Sequence, residues 1–112
     1  MAFDKYDVAE VVEHTSRVQV WRFNVYIEVD DVYVDEVDDD EYEIEVDLRA
    51  TGRANVRDNV DLSRLKKGIQ DAGEMMMREI DERLRQYHNR YGFGYSVSVN
   101  RFDTSDIDVD SY

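Results

Sequence analysis

The sequence contains no cysteine, which excludes disulfides, thiol nucleophiles and thiolate metal sites. Histidine is nearly as scarce, with only His14 and His88. Neither falls in a Ser-His-Asp arrangement, and no glycine-rich phosphate loop is present. Carboxylate pairs are plentiful but lack the apolar surroundings that would tune them for proton transfer. The expectation is a non-enzymatic protein with no cofactor and no specific metal site. His88, next to Tyr87 near the end of a long helix, reads as a group favoured by the C-terminal helix dipole. No apolar run approaches the roughly 20 residues that a membrane helix needs. Met1-Ala2-Phe3-Asp4 lacks the charged and apolar regions of a signal peptide, so an intracellular product is expected. The net charge of −13 disfavours nucleic acid or an anionic membrane as the main ligand.

What is present is acid, and it is concentrated. The 112 residues suit a single domain large enough to bury a core. Residues 28–47 hold twelve acidic side chains and no Lys or Arg. Residues 48–101 carry a net +4, and residues 102–112 a net −4. Arg outnumbers Lys eleven to three, and Asp outnumbers Glu seventeen to ten. That usage resembles the salt-adapted proteins of halophilic archaea and their viruses, which implies a high-salt cytoplasm or a virion as the setting. General salt adaptation does not by itself require such polarity along the chain.

The organising stretch is Arg17–Arg57, which reads as one long β-hairpin. Residues 1–16 form an N-terminal arm or short helix, with Asp7 and Glu10 as a capping pair and Val8, Val11 and Val12 as an apolar edge. From Arg17 the period is two: Gln19, Trp21, Phe23, Val25, Ile27 and Val29 share one face. The parity flips after Asp30-Asp31, as a one-residue β-bulge would require. The turn falls at Asp38-Asp39-Asp40, and Tyr42, Ile44, Val46, Leu48, Ala50, Ala54 and Val56 form the apolar face of the return strand. The implied register places Val34 opposite Ile44 and Val32 opposite Val46. Below the bulge it places Val29 opposite Leu48, Ile27 opposite Ala50, Phe23 opposite Ala54 and Trp21 opposite Val56. Glu28 then meets Arg49, an attractive pair, and Asp35 meets Glu43, a repulsive one.

A helix is expected over 61–91, N-capped by Asp61, with a stripe from Leu62 through Ile69, Met76, Ile80 and Leu84 to Tyr91. Gly68 and Gly73 suggest close packing on the sheet, and Gly92 suits the C-terminal cap. A third strand is expected over 93–102. Gly92-Phe93-Gly94-Tyr95 resembles four residues of an RNA-recognition-motif strand, but that strand should precede a helix and here it ends the fold. Residues 103–112 are expected to be an acidic mobile tail. Asp106, Asp108 and Asp110 lack the Gly and Glu that a helix-loop-helix calcium loop requires. The expected fold is α+β, topology (α)ββαβ: a single domain over residues 1–102, with a three-stranded antiparallel sheet of order 2-1-3 under one long helix. Because the third strand is short, the outer hairpin would project beyond it.

That projection, residues 17–57 with an acidic end, sets the functional expectation: a structural protein that assembles as a homo-oligomer or onto neighbouring structural proteins. The interacting acids would be Asp30, Asp31, Asp35, Asp38, Asp39, Asp40, Glu41, Glu43, Glu45 and Asp47. The receiving basic zone would be Arg49, Arg53, Arg57, Arg64, Lys66 and Lys67. Such an end-on contact is heterologous and closes rings or extends filaments. Cations would be held only loosely near Asp38–Glu41 and Glu43. The expected shape loosely resembles the tail-tube, tail-terminator and tail-completion proteins of tailed viruses; the resemblance is architectural, rests on no sequence motif, and implies a virion tail or head-to-tail ring. From another class, an acidic inhibitor that mimics nucleic acid could occupy a basic groove of another protein. In the assembly reading, the outer hairpin is dispensable for folding and mobile until covered.

Overall fold

The computed structural model describes residues 3–111; Met1, Ala2 and Tyr112, the extreme ends of the expected arm and tail, lie outside the described residues. The element order is α1 (Lys5–Glu13), β1 (Val18–Val20), β2 (Asn24–Asp38), β3 (Glu41–Val56), α2 (Asn59–Tyr91) and β4 (Gly94–Ser111). One four-stranded sheet has the order β1-β2-β3-β4. β1, β2 and β3 are antiparallel neighbours, whereas β4 runs parallel to β3. The fold is thus α+β with a mixed sheet and a long helix packed on it.

The bulge is where the alternation places it. Val34 pairs with Ile44 and Val32 with Val46, the register shifts between Val29 and Asp31, and Val29 pairs with Leu48 and Ile27 with Ala50. A one-residue insertion keeps both runs of apolar residues on the face beneath the helices. Val25, Ile27, Ile44, Val46 and Leu48 are buried there against Met76, Ile80 and Leu84 of α2. Each such side chain contributes about 1.5–3 kcal/mol when fully buried.

Three expectations are corrected. The first strand does not continue through Trp21 and Phe23. Phe23 N–H donates to Val20 O at 3.0 Å, closing a tight turn, and β1 folds back so that Val20 pairs with Val25. Trp21 is therefore 78% exposed and not opposite Val56. The turn holds Arg22 at φ 69°, a conformation in which Gly or Asn is usual, so the local sequence carries no turn signal.

The sheet order 2-1-3 and the all-antiparallel pairing are also corrected. α2 has 33 residues and at about 1.5 Å per residue spans ~50 Å. β3 has 16 residues and at about 3.3 Å per residue spans nearly the same length. The helix therefore returns the chain to the hairpin turn, where Gly94 N–H donates to Asp40 O at 2.7 Å. β4 then runs beside β3 for its whole length, while β1 pairs with the other edge of the hairpin only at Val25–Ile27. β4 is antiparallel to β2, as expected, but its neighbour is β3.

Third, residues 103–111 continue β4 and do not form a tail separate from the sheet. Ile107 and Val109 lie opposite Gly52 and Ala54, while Asp106, Asp108 and Asp110 lie opposite Thr51, Arg53 and Asn55. Two irregularities, near Asn100 and near Thr104-Ser105, let this long strand follow the twist of β3. Asp103 Oδ1 accepts from both the amide and the hydroxyl of Ser105, at 2.9 and 2.6 Å, and satisfies the second of them.

As a consequence the outer hairpin is not an overhang. β4 covers its β3 side, and α1 packs on β2. Asp4 caps α1 through a box with Asp7, one turn earlier than the expected Asp7/Glu10 pair, and Val8, Val11 and Val12 are buried as expected. Phe3 stacks on Tyr91 and Phe93, and its carbonyl accepts from Tyr42 Oη at 3.3 Å. α2 is capped by Asp58, three residues before the expected Asp61, and ends at Gly92 in the left-handed region, φ 73°. At Gly73 a Cβ would collide with the Phe102 ring, the close packing foreseen for that glycine. Both helices lie on one face of the sheet, and the other face is open to solvent.

Candidate interaction surfaces

The open face is built by the out-pointing residues of β2, β3 and β4. Around the upper hairpin, register aligns Asp35 with Glu43, Tyr33 with Glu45, and Asp31 with Asp47; β4 adds Ser96 beside Glu43 and Ser98 beside Glu45. Alternate residues of one strand recur at about 6.6 Å, so the carboxylates form ordered rows. Among the described residues, Asp30 is the one acid of the 28–47 stretch within 4.0 Å of a base, Arg49. Asp47 is the exception to exposure: it is 9% exposed and accepts from Asn100 Nδ2 at 3.0 Å and Tyr33 Oη at 3.2 Å. Tyr33 Oη is also 3.2 Å from Asp31 Oδ2, so its one proton lies between two carboxylates, which raise its phenol above the ordinary value. The predicted acids Asp30, Asp31, Asp35, Asp38, Asp39, Asp40, Glu41, Glu43 and Glu45 are all exposed, at the hairpin turn or along its strands.

The lower part of the same face is neutralised within the chain. Arg49 Nε donates to Asp106 Oδ2 at 2.8 Å, and Arg53 lies 3.6 Å from both Asp108 and Asp110. The Asp106 hydrogen bond is the main reason the Arg49 guanidinium is held even more firmly in its charged form. The six predicted bases are thus not one patch: Arg49 and Arg53 belong to the β3–β4 ladder, and Lys66 stands exposed on α2.

Arg57, Arg64 and Lys67 instead line an open groove of about 880 Å³ at the end of the sheet opposite the hairpin turn, with Trp21, Phe23 and Met75 as its apolar surface. Asp58, Asp61 and Asp71 are also in its lining. Asp58 Oδ1 accepts from the Asp61 amide and Asp61 Oδ2 from the Arg57 amide, so two of these acids are engaged at the start of α2. Arg64 is 3.9 Å from Asp61, whereas Arg57 and Lys67 have no ion-pair partner among the described residues. Arg22 lies over the Trp21 ring, 4.6 Å from its centroid. Sequence reasoning missed Trp21 because its alternation with Phe23 and Val25 fits a buried face.

The histidines stand apart. His14 is exposed, and the ring of His88 bonds the Phe93 carbonyl while edging against Phe93 and Tyr95. Tyr95 Oη donates to Asp81 Oδ1 at 2.8 Å, and burial first, then that bond, raises its phenol. These contacts seal the helix–strand junction. Among the described residues no group of three or more His, Cys, Asp or Glu side chains is arranged to hold a metal ion, and no helix is long and apolar enough to cross a membrane. Compared with known proteins, the chain matches no family model, no curated protein and no solved structure.

Proposed function

We propose that this chain is a non-enzymatic structural protein that assembles end to end, the acidic hairpin end of one copy meeting the basic end of the next. The observation that carries this reading is the segregation of charge along a body with extents of 55 × 20 × 18 Å. The twelve acids of residues 28–47 lie along the hairpin toward its turn at one end; at the other, a groove is lined by Arg22, Arg57, Arg64 and Lys67 against Asp58, Asp61 and Asp71, of which Asp58 and Asp61 are held by backbone amides. One copy cannot bring its own two ends together, so their attraction acts between copies. Such a contact is heterologous and yields a ring or a filament, as a component of a virion tail or head–tail ring would need. Because the hairpin is built into the sheet, its shape is ready for docking and little ordering cost is incurred on contact.

The test is the molar mass by light scattering across protein concentration, at low and at molar salt. A mass rising above 13.3 kDa with concentration at low salt, and falling back as salt screens the ends, is expected. A mass of 13.3 kDa throughout contradicts it. A second reading draws on the ordered carboxylate rows of the open face, which suit an acidic mimic of nucleic acid held in a basic groove of another protein. In that case the protein stays monomeric and competes with DNA for a basic DNA-binding partner.

A further inference from the structure

We propose that the groove beside Trp21 is the receiving site and that its occupant is the hairpin turn of a second copy, Val37–Asp40. The inference rests on the assembly reading and names both halves of the contact. On the receiving side, Trp21 is 78% exposed and Met75 48% exposed, two large apolar side chains left out of the core on one groove. Trp21 is held outward by the tight turn at Val20–Phe23, whose Arg22 sits at φ 69°. A left-handed conformation is unfavourable for a non-glycine residue, and here it leaves Trp21 78% exposed, with Arg22 over its ring. Strain that serves exposure is the kind of feature that marks a binding clamp. Of the groove's other charged lining, Asp58 and Asp61 accept from backbone amides and Arg64 lies 3.9 Å from Asp61, which leaves Arg57 and Lys67, with no ion-pair partner among the described residues, against the single carboxylate of Asp71.

The donating side has the complementary chemistry. Val37 is 58% exposed, at the second irregularity of the hairpin, between Glu36 and Asp38. Asp38, Asp39 and Asp40 follow, all exposed, with Asp40 at φ 58° in the turn. Asp38 Oδ1 accepts from the Asp39 amide at 2.8 Å, which fixes the turn's shape. A compact acidic turn carrying one exposed valine fits an apolar floor of Trp21 and Met75 with Arg57 and Lys67 at its rim. Val37 would lie on the indole, and the carboxylates would meet the two cations. The groove, about 880 Å³, is large enough for such a turn.

Trp21 is the only tryptophan, so its fluorescence reports on the groove alone. Two variants separate the halves of the contact. The first carries Trp21→Ala, Arg57→Gln and Lys67→Gln, which disables the groove and silences the fluorescence. The second carries Asp38→Asn, Asp39→Asn and Asp40→Asn, which disables the turn. All the substituted side chains are exposed, and circular dichroism matching the wild type shows that both variants fold. Each alone should be a 13.3 kDa monomer where the wild type assembles. Mixed, they should form a 1:1 dimer that grows no further, and the Trp21 emission of the second variant should shift to the blue. If both variants assemble as the wild type does, another surface joins the copies: the groove proposal falls and the assembly reading survives. If the wild type is itself monomeric under all conditions, both fall.

Discussion

Two stretches of this chain alternate acidic and apolar residues, Glu41–Asp47 in the hairpin and Asp106–Asp110 near the C-terminus, and they sit on neighbouring strands of the same open face. In the second, every carboxylate has a guanidinium within reach, since Arg49 and Arg53 project between the strands. In the first, Glu43 faces Asp35 and Ser96, and Glu45 faces Tyr33 and Ser98. Similar composition gives attraction in one place and repulsion in the other. Cross-strand pairs contribute only a few tenths to ~1 kcal/mol each, and the exposed ion pairs here belong at the low end. Their sign still decides which surface is neutralised within the chain and which is left with like charges side by side. The acid that register leaves unpaired is what the proposed contact would draw on.

The sharpest way to break this contrast is to remove the acidic region. Replacing Asp31–Val46 by an Asn-Gly turn deletes Tyr42, Ile44 and Val46, all buried. At about 1.5–3 kcal/mol for each side chain, the loss rivals the whole stability of a small domain. Loss of cooperative denaturant unfolding is expected, in place of the folded monomer that a projecting arm would have left. Truncation after Asp103 should cost less, about 2–3 kcal/mol, because it removes the partly buried Ile107, the exposed Val109 and the partners of Arg49 and Arg53. A truncated chain whose denaturation midpoint is unchanged would return these residues to the status of a tail.

Much of this fold was legible before the structure. The parity change at Asp30-Asp31 implied both the bulge and the register, because side-chain period two leaves no other way to keep Val32 and Ile27 on one face. The helix, its glycine cap and its sheet-packed glycines were equally readable. The neighbour of β4 was not, since α2 returns the chain to the hairpin turn, where the edges of β2 and β3 are both within reach. Asp106-Ile107-Asp108-Val109-Asp110 did carry the signal of a half-buried strand, and its acidity concealed it. The turn at Trp21–Phe23 carried none, because an Arg occupies the left-handed position. Of the candidate site, the acidic residues were identifiable from composition. The groove was not, since it joins the β1–β2 turn to the end of β3 and the first half of α2.

Salt sharpens the same comparison. Raising KCl from 0.1 to 1 M shortens the Debye length from ~10 to ~3 Å, which relieves repulsion along Glu28–Asp47 and weakens the attraction of Arg49 and Arg53 for the terminal acids. The uncompensated stretch is the larger, so the melting temperature of dilute protein should rise. With Glu43→Gln and Glu45→Gln that rise should shrink; with Asp106→Asn and Asp108→Asn the starting stability should fall instead. A flat or falling profile for the wild type would mean the hairpin acids are already compensated. The smallest effect concerns Tyr33. Its raised phenol pKa comes first from its hydrogen bonds to Asp31 and Asp47. A raised folded value means that this contribution is complete below the unfolded pKa of about 10 and is lost as pH rises through the folded value. Tyr33→Phe should therefore flatten part of the stability decline on the alkaline side, read from denaturant midpoints across that range.

End-to-end polarity is most directly tested by small-angle X-ray scattering on the wild type under associating conditions. Assembly through the two ends should leave the cross-section of the particle unchanged while its maximum dimension approaches twice the 55 Å length of one copy in the dimer. The unpaired outer edge of β4 offers the competing geometry, side-by-side pairing into a continuous sheet. A dimer that widens its cross-section and keeps a length near 55 Å would contradict the end-to-end account.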